Sequence, residues 1–247
     1  MIPKVIHYCW FGEKALPAKA KKCIGSWRKY LPGYEIKEWN DSNFDLAISQ
    51  FVASAYEQKM YAFVSDYARF WILYHYGGVY FDVDVEIVSD MSHIIDAGAF
   101  MGIEKSLATN GIAQGCMIGV APGLGMGAEA GMSLIYEILE YYNSLIFNIS
   151  DCTVVGHTTR ILRTHGLANR NEMQSVAGFT IYPDRYLCPM DSTTGIVSIT
   201  PDTVSIHHYA CSWMDHKSAS FVLHKVKNWL IRVFGVKLVT SVTNLLK

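Results

Sequence analysis

Gly77-Gly78-Val79-Tyr80-Phe81-Asp82-Val83-Asp84-Val85-Glu86-Ile87-Val88 is the stretch whose reading decides the fold. The glycine pair stops a helical pattern that reaches Tyr76, and residues 79–88 read as the clearest strand in the chain. Side chains alternate faces along a strand. Val79, Phe81, Val83, Val85 and Ile87 therefore form one apolar face, and Tyr80, Asp82, Asp84 and Glu86 share the other. Neighbouring carboxylates on that stripe stand about 7 Å apart. Aspartate is unfavourable in strands, and an acidic row inside a sheet is costly unless a cation lies against it. The row is either a divalent-cation site or the solvated face of an edge strand. Hard oxygen ligands suit Mn²⁺ or Mg²⁺, which would also bind a diphosphate and neutralise its charge as it leaves.

Working outward, residues 5–9 and 34–39 read as strands and residues 16–30 as a helix, with Asn40-Asp41-Ser42 placed to cap the helical pattern that follows. Strands alternating with helices predict an α/β fold, its largely parallel sheet covered on both faces and its ligands beyond the carboxyl ends of the strands. Asp66 and Arg69 sit three apart on the helix at 61–76 and can pair on one face. They are an ordinary helical ion pair, or a unit delivered towards the acidic strand to hold sugar hydroxyls. Residues 115–131 carry six glycines, including Gly123-x-Gly125-x-Gly127. Without a Gly-Lys-Ser/Thr ending or a preceding first strand, they predict a flexible loop rather than a phosphate loop. Helices follow at 132–143 and within 153–166, and strands at 180–186, 195–199 and 203–209. In the last of these His208 shares its face with Val204 and Ile206, which leaves His207 to face the site.

With 51% hydrophobic and 17% charged residues the chain is not disordered, and a net charge of −1 gives no global reason to expect nucleic-acid binding. Six scattered cysteines without a C-x-x-C pair, and no run of 18 uncharged apolar residues, point to a reducing, cytoplasmic setting without a membrane span. Residues 216–247 hold five lysines, one arginine and no acid, on a helical pattern with Val222, Val226, Trp229, Leu230 and Val233 on its apolar side. This pattern predicts a C-terminal amphipathic helix appended to a domain at 1–215. It either lies peripherally in an anionic membrane interface, which would suit a lipid-linked acceptor, or docks on that domain.

Ser65-Asp66-x-x-Arg69 followed by Gly77 to Asp84 resembles the sugar-binding D-x-D region of glycosyltransferase family 32. The opening Ile2-Pro3-Lys4-Val5-Ile6-His7-Tyr8-Cys9-Trp10-Phe11-Gly12 resembles the family's first strand, and His207-His208-Tyr209-Ala210-Cys211-Ser212-Trp213 its C-terminal H-x-x-x-x-S-W element. The resemblance implies a GT-A type Rossmann-like fold, a UDP- or GDP-sugar donor, a saccharide or lipid-linked saccharide acceptor, and retention at the transferred sugar. It implies that Trp10 stacks on the nucleotide base and that Asp66 and Arg69 bind the donor sugar. Asp82 and Asp84 would bind metal, ribose and diphosphate, with Asp84 in direct metal contact and Tyr80 in the donor-binding set. His207 would be a metal or phosphate ligand, and Ser212 and Trp213 would close over the diphosphate. Departures from the pattern at Val155-Gly156-His157 and at Asn110 to Gln114 leave Gln114 and His157 as pocket contacts or packing residues.

The same residues admit two rival readings. Asp82-Val83-Asp84-Val85 also fits the nucleophile motif of a haloacid-dehalogenase-type phosphatase, but that motif belongs on a first strand with a later acid pair, and Asp191, Asp202 and Asp215 stand alone. A non-catalytic carbohydrate-binding protein would use the 13% aromatic content, though aromatic residues more often build cores.

Overall fold

The computed structural model describes residues 1–104, 118–149, 153–192 and 195–210. The parallel part of the sheet is the one the sequence predicts. β1 (Val5–Cys9) lies between β2 (Glu35–Trp39) and β3 (Gly78–Tyr80), all three running the same way. The order continues through β7 (Met126–Ala128), β5 (Phe100–Glu104), β9 (Phe179–Tyr182) and β8 (Gln174–Val176), with β6 (Gly119–Ala121) beside β5. β5 and β9 share the direction of β1 to β3, while β6, β7 and β8 oppose it.

Helices cover both faces. One apolar core joins the sheet to α2 (Gln50–Glu57), α3 (Tyr61–Tyr76), α5 (Ser133–Asn143) and α6 (Val154–Thr164). The other joins it to α1 (Ala18–Tyr30), α4 (Ser92–Asp96) and α7 (Asp184–Leu187). This two-faced α/β arrangement with an acidic segment at its centre is what the family resemblance implies.

The strand expected at 79–88 is broken. β3 ends at Tyr80, Val85 N–H donates to Asp82 O (3.0 Å), and β4 (Val85–Ile87) leaves the main sheet to pair antiparallel with β10 (Ser205–His207). Aspartate is favoured at the first position of such a turn, which removes the anomaly of two aspartates in a strand. The other edge of β4 is satisfied by side chains of α1: Trp27 Nε1–H donates to Val85 O (2.8 Å), and Ser26 Oγ accepts from Ile87 N–H (2.9 Å). Glu86 consequently leaves the acidic stripe and pairs with Lys22 (3.3 Å) and His208 (2.8 Å).

Three other expectations change. Residues 118–128, read as a flexible loop, are buried in the sheet: β6, a 3₁₀ turn at Pro122–Leu124 and β7 run along β5, and β7 also pairs with β3. Close approach explains the glycines there, since a Cβ on Gly127 would meet the Phe100 ring at 2.3 Å. The segment 195–199 forms only a bridge between Val197 and Met190. Asn40 to Ser42 form a tight turn, and Ser49, accepting from Val52 N–H (3.2 Å), caps the helix instead.

His7 ties the parallel part together. Its Nδ1 accepts from Trp39 Nε1–H (3.2 Å), so Nε2 carries the proton and donates to Gly77 O (3.0 Å). Burial, with the charge of Lys37, lowers this imidazole to about 4 and outweighs the Gly77 hydrogen bond. Gly78 cannot carry a side chain, because a Cβ would lie 2.7 Å from Val5 O and 2.9 Å from His7 Nε2.

Candidate active site

The carboxyl ends of β1, β3 and β5 meet along one edge of the sheet, where ligands of such sheets bind. Trp10 follows β1, Asp82 follows β3, and Glu104 ends β5. The turn after β3 and the end of β10 bring Asp82, Asp84 and His207 together, with one ligand atom of each within 4.8 Å of the others.

Asp82 is held from the α3 side. Tyr80 Oη donates to Asp82 Oδ1 (3.0 Å), and Arg69 Nη2 lies 3.3 Å from the same oxygen. Arg69 is itself fixed by hydrogen bonds to Asp66 Oδ1 (2.7 Å) and Ser65 O (3.0 Å), with its guanidinium 4.9 Å from the Tyr80 ring centre. Burial, with the charge of Asp82, pushes the Asp66 carboxyl up to about 7 against the pull of Arg69. Backbone closes the other side: Asp82 N–H donates to Gly123 O (3.1 Å), and a Cβ on Gly123 would stand 1.9 Å from Asp82 Oδ2.

Asp84 is held from the far end of the described chain. His207 Nε2 lies 3.1 Å from Asp84 Oδ1, Ala210 N–H donates to Oδ2 (2.7 Å), and His208 N–H donates to the backbone oxygen (3.1 Å). Burial would raise the Asp84 carboxyl, but the charge and hydrogen bond of His207 and the Ala210 amide hold it well below the usual range. Burial likewise opposes charge on His207, yet Asp84, Asp82 and Glu104 raise it to about 9. Among the described residues His207 Nδ1 is buried without a hydrogen-bond partner, and Tyr209, at φ +45°, stands with its ring centre 4.4 Å from that imidazole. Two carboxylates and an imidazole with a spare buried nitrogen form a donor set that fits a divalent cation bound by oxygen and nitrogen.

The structure thus gathers Asp66, Arg69, Tyr80, Asp82, Asp84 and His207, and puts Trp10 at the neighbouring strand end. Gln114, Ser212, Trp213 and the basic tail lie outside the described residues. His157 sits between α5 and α6, where its Nδ1 pairs with Tyr141 Oη (3.0 Å), a packing position. Sequence reasoning missed Gly123 and Glu104. The first was obscured by the loop reading of its segment. The second left a signal, since it is an acid ending the otherwise apolar β5, and burial raises its carboxyl against the charge of His207.

An α/β sheet with an acidic cluster at its carboxyl edge, where such sheets bind their ligands, has the donor set to hold a divalent cation. Residues 17–101 match the family described as glycosyltransferase sugar-binding region containing DXD motif. The chain is similar to two proteins of the fission yeast Schizosaccharomyces pombe. It is 32% identical to inositol phosphoceramide mannosyltransferase 1 over 111 residues, which is 40% of this chain and 33% of that protein. It is 34% identical to inositol phosphoceramide mannosyltransferase 3 over 96 residues, 34% of this chain and 24% of that protein. The chain therefore spans a third or less of the length of these two relatives. Among solved structures, the PaToxG glycosyltransferase matches with a TM-score of 0.48 and 18% identity over 66% of this chain and 68% of that one.

Proposed function

We propose that this protein transfers a hexosyl group from a UDP- or GDP-sugar to a saccharide or lipid-linked saccharide acceptor, with Mn²⁺ or Mg²⁺ at Asp82, Asp84 and His207. The observation that carries the reading is the convergence of those three side chains, within 4.8 Å of one another, in a chain whose residues 17–101 match the D-x-D sugar-binding family. Bound there, the cation would neutralise charge on the departing diphosphate.

The chain's own residues supply the rest. Arg69, buried and fixed by Asp66 and Ser65, sets the position of the Asp82 carboxylate and presents its positive charge beside it. Asp66, held by Arg69 through Oδ1, offers its carboxyl to a sugar hydroxyl. Trp10 would face the nucleotide base. Burial keeps the Cys9 thiol protonated, raising it to about 12 against the charge of Arg69, so it is no nucleophile beneath the site. Retention at the anomeric carbon and a peripheral membrane position for residues 216–247 extend the proposal. Among the described residues, no helix is long and apolar enough to cross a membrane.

The test is a screen of UDP- and GDP-sugars for Mn²⁺-stimulated release of the nucleoside diphosphate, with a simple phosphate ester as control. Asp84→Asn should lower that release by about 100-fold or more. Ester hydrolysis without sugar-nucleotide turnover would overturn the proposal in favour of a phosphatase.

A further inference from the structure

The loop after β1 is gripped more tightly than its position at the surface requires. Trp10 N–H donates to Trp39 O (2.8 Å), and the chain then turns back through Gly12 at φ +90° and Glu13 at φ +58°. This return brings Lys14 O to the Trp10 indole N–H, which donates to it. Asp41, half-buried, accepts the Gly12 N–H through both carboxylate oxygens (2.9 and 3.3 Å) and takes the Tyr56 hydroxyl of α2. The Tyr61 ring of α3 backs the turn so closely that a Cβ on Gly12 would lie 2.2 Å from its Cε2. Left-handed backbone at a non-glycine residue is costly, and it persists where surrounding contacts over-determine it. Here the contacts converge on Asp41.

We propose that Asp41 is a positioning residue for the nucleoside diphosphate, clamping the Trp10–Lys14 loop so that the Trp10 ring stands ready for the base. The inference rests on the donor site described above. Ordering a large side chain before binding removes a cost that binding would otherwise meet. The clamp touches neither the acidic cluster nor Arg69, so its loss acts on affinity and not on the transfer step.

The experiment titrates UDP and GDP, each with Mn²⁺, into wild type, Asp41→Ala, Asp41→Asn and Tyr56→Phe, and measures KM and kcat on whichever sugar nucleotide turns over. Asp41→Ala should weaken nucleotide binding and raise donor KM by about tenfold, with kcat within about twofold of wild type. Asp41→Asn keeps one accepting oxygen and should fall between them, and Tyr56→Phe should change least. If Asp41→Ala does not fold, Asp41→Asn carries the test through the same split of KM from kcat. Equal nucleotide affinity in folded Asp41 variants, or a loss confined to kcat, would overturn the clamp alone. Failure of the wild type to bind either nucleotide would overturn the donor site and the clamp with it.

Discussion

Asp82 and Asp84 are two residues apart in one turn, yet different parts of the molecule hold them. Asp82 is fixed by Tyr80, Arg69 and, through Arg69, Asp66, all within sixteen residues of it. Asp84 is fixed by His207 and Ala210, the latter 126 positions later in sequence. The near half is a buried ion-pair network on a helix and the strand that follows it. The far half is a short antiparallel pair, β4 with β10, whose formation carries His207 to the carboxylate. A site divided in this way should fail differently according to which half is disturbed.

The largest effect on the fold is expected at Arg69. Replacing it with Met leaves the carboxyls of Asp66 and Asp82 without their shared cation, and breaking a buried pair from one side costs about 3–5 kcal/mol. Urea unfolding should show this loss, whereas His207→Gln should cost less because the histidine is held in only one described ion pair. Equal losses would mean that the halves are not distinct.

A smaller effect is expected at Gly123. The Cβ of Gly123→Ala would meet Asp82 Oδ2 at 1.9 Å, so the carboxylate must move while Asp84 stays with His207. Overpacking of this kind costs about 1–3 kcal/mol. Mn²⁺-stimulated nucleotide release should fall by about tenfold or more, since displaced catalytic groups lose rate steeply. Unchanged release would place the working carboxylate entirely in the far half.

The smallest effect is a pH dependence belonging to that far half. His207 titrates at about 9 in the folded chain against an ordinary 6.5, so the folded state holds the proton more tightly than the unfolded one. Its contribution is fully present below about pH 6.5 and is lost as pH rises through about 9. Chemical denaturation at pH 6.5, 8 and 9.5 should show the decline, and His207→Gln should flatten it. A decline that survives in His207→Gln would assign it elsewhere.

The same division explains what was legible in the sequence. β1, β2 and α3 follow local periodicity, and Asp66, Arg69, Tyr80 and Asp82 fall into place once α3 runs into β3. The turn at Asp82 was hidden because its alternation suits a strand equally well, and the break is enforced by Trp27 and Ser26 of α1, about 60 residues upstream. The glycines at 123, 125 and 127 looked like slack. They serve close packing against Asp82, Phe81 and Phe100, which no local pattern reveals. His207 could be assigned a face from alternation, but its Asp84 partner depended on the pairing of β10 with β4.

The most direct measurement of the central claim is a calorimetric titration of Mn²⁺, with UDP or GDP present, into wild type and Asp84→Asn at pH 7.5. One divalent-cation site is predicted in the wild type, with proton release as His207 gives up its charge to ligate, and loss of that site in Asp84→Asn. Equal Mn²⁺ binding by the two proteins would contradict the assignment of the cation to the cluster of Asp82, Asp84 and His207.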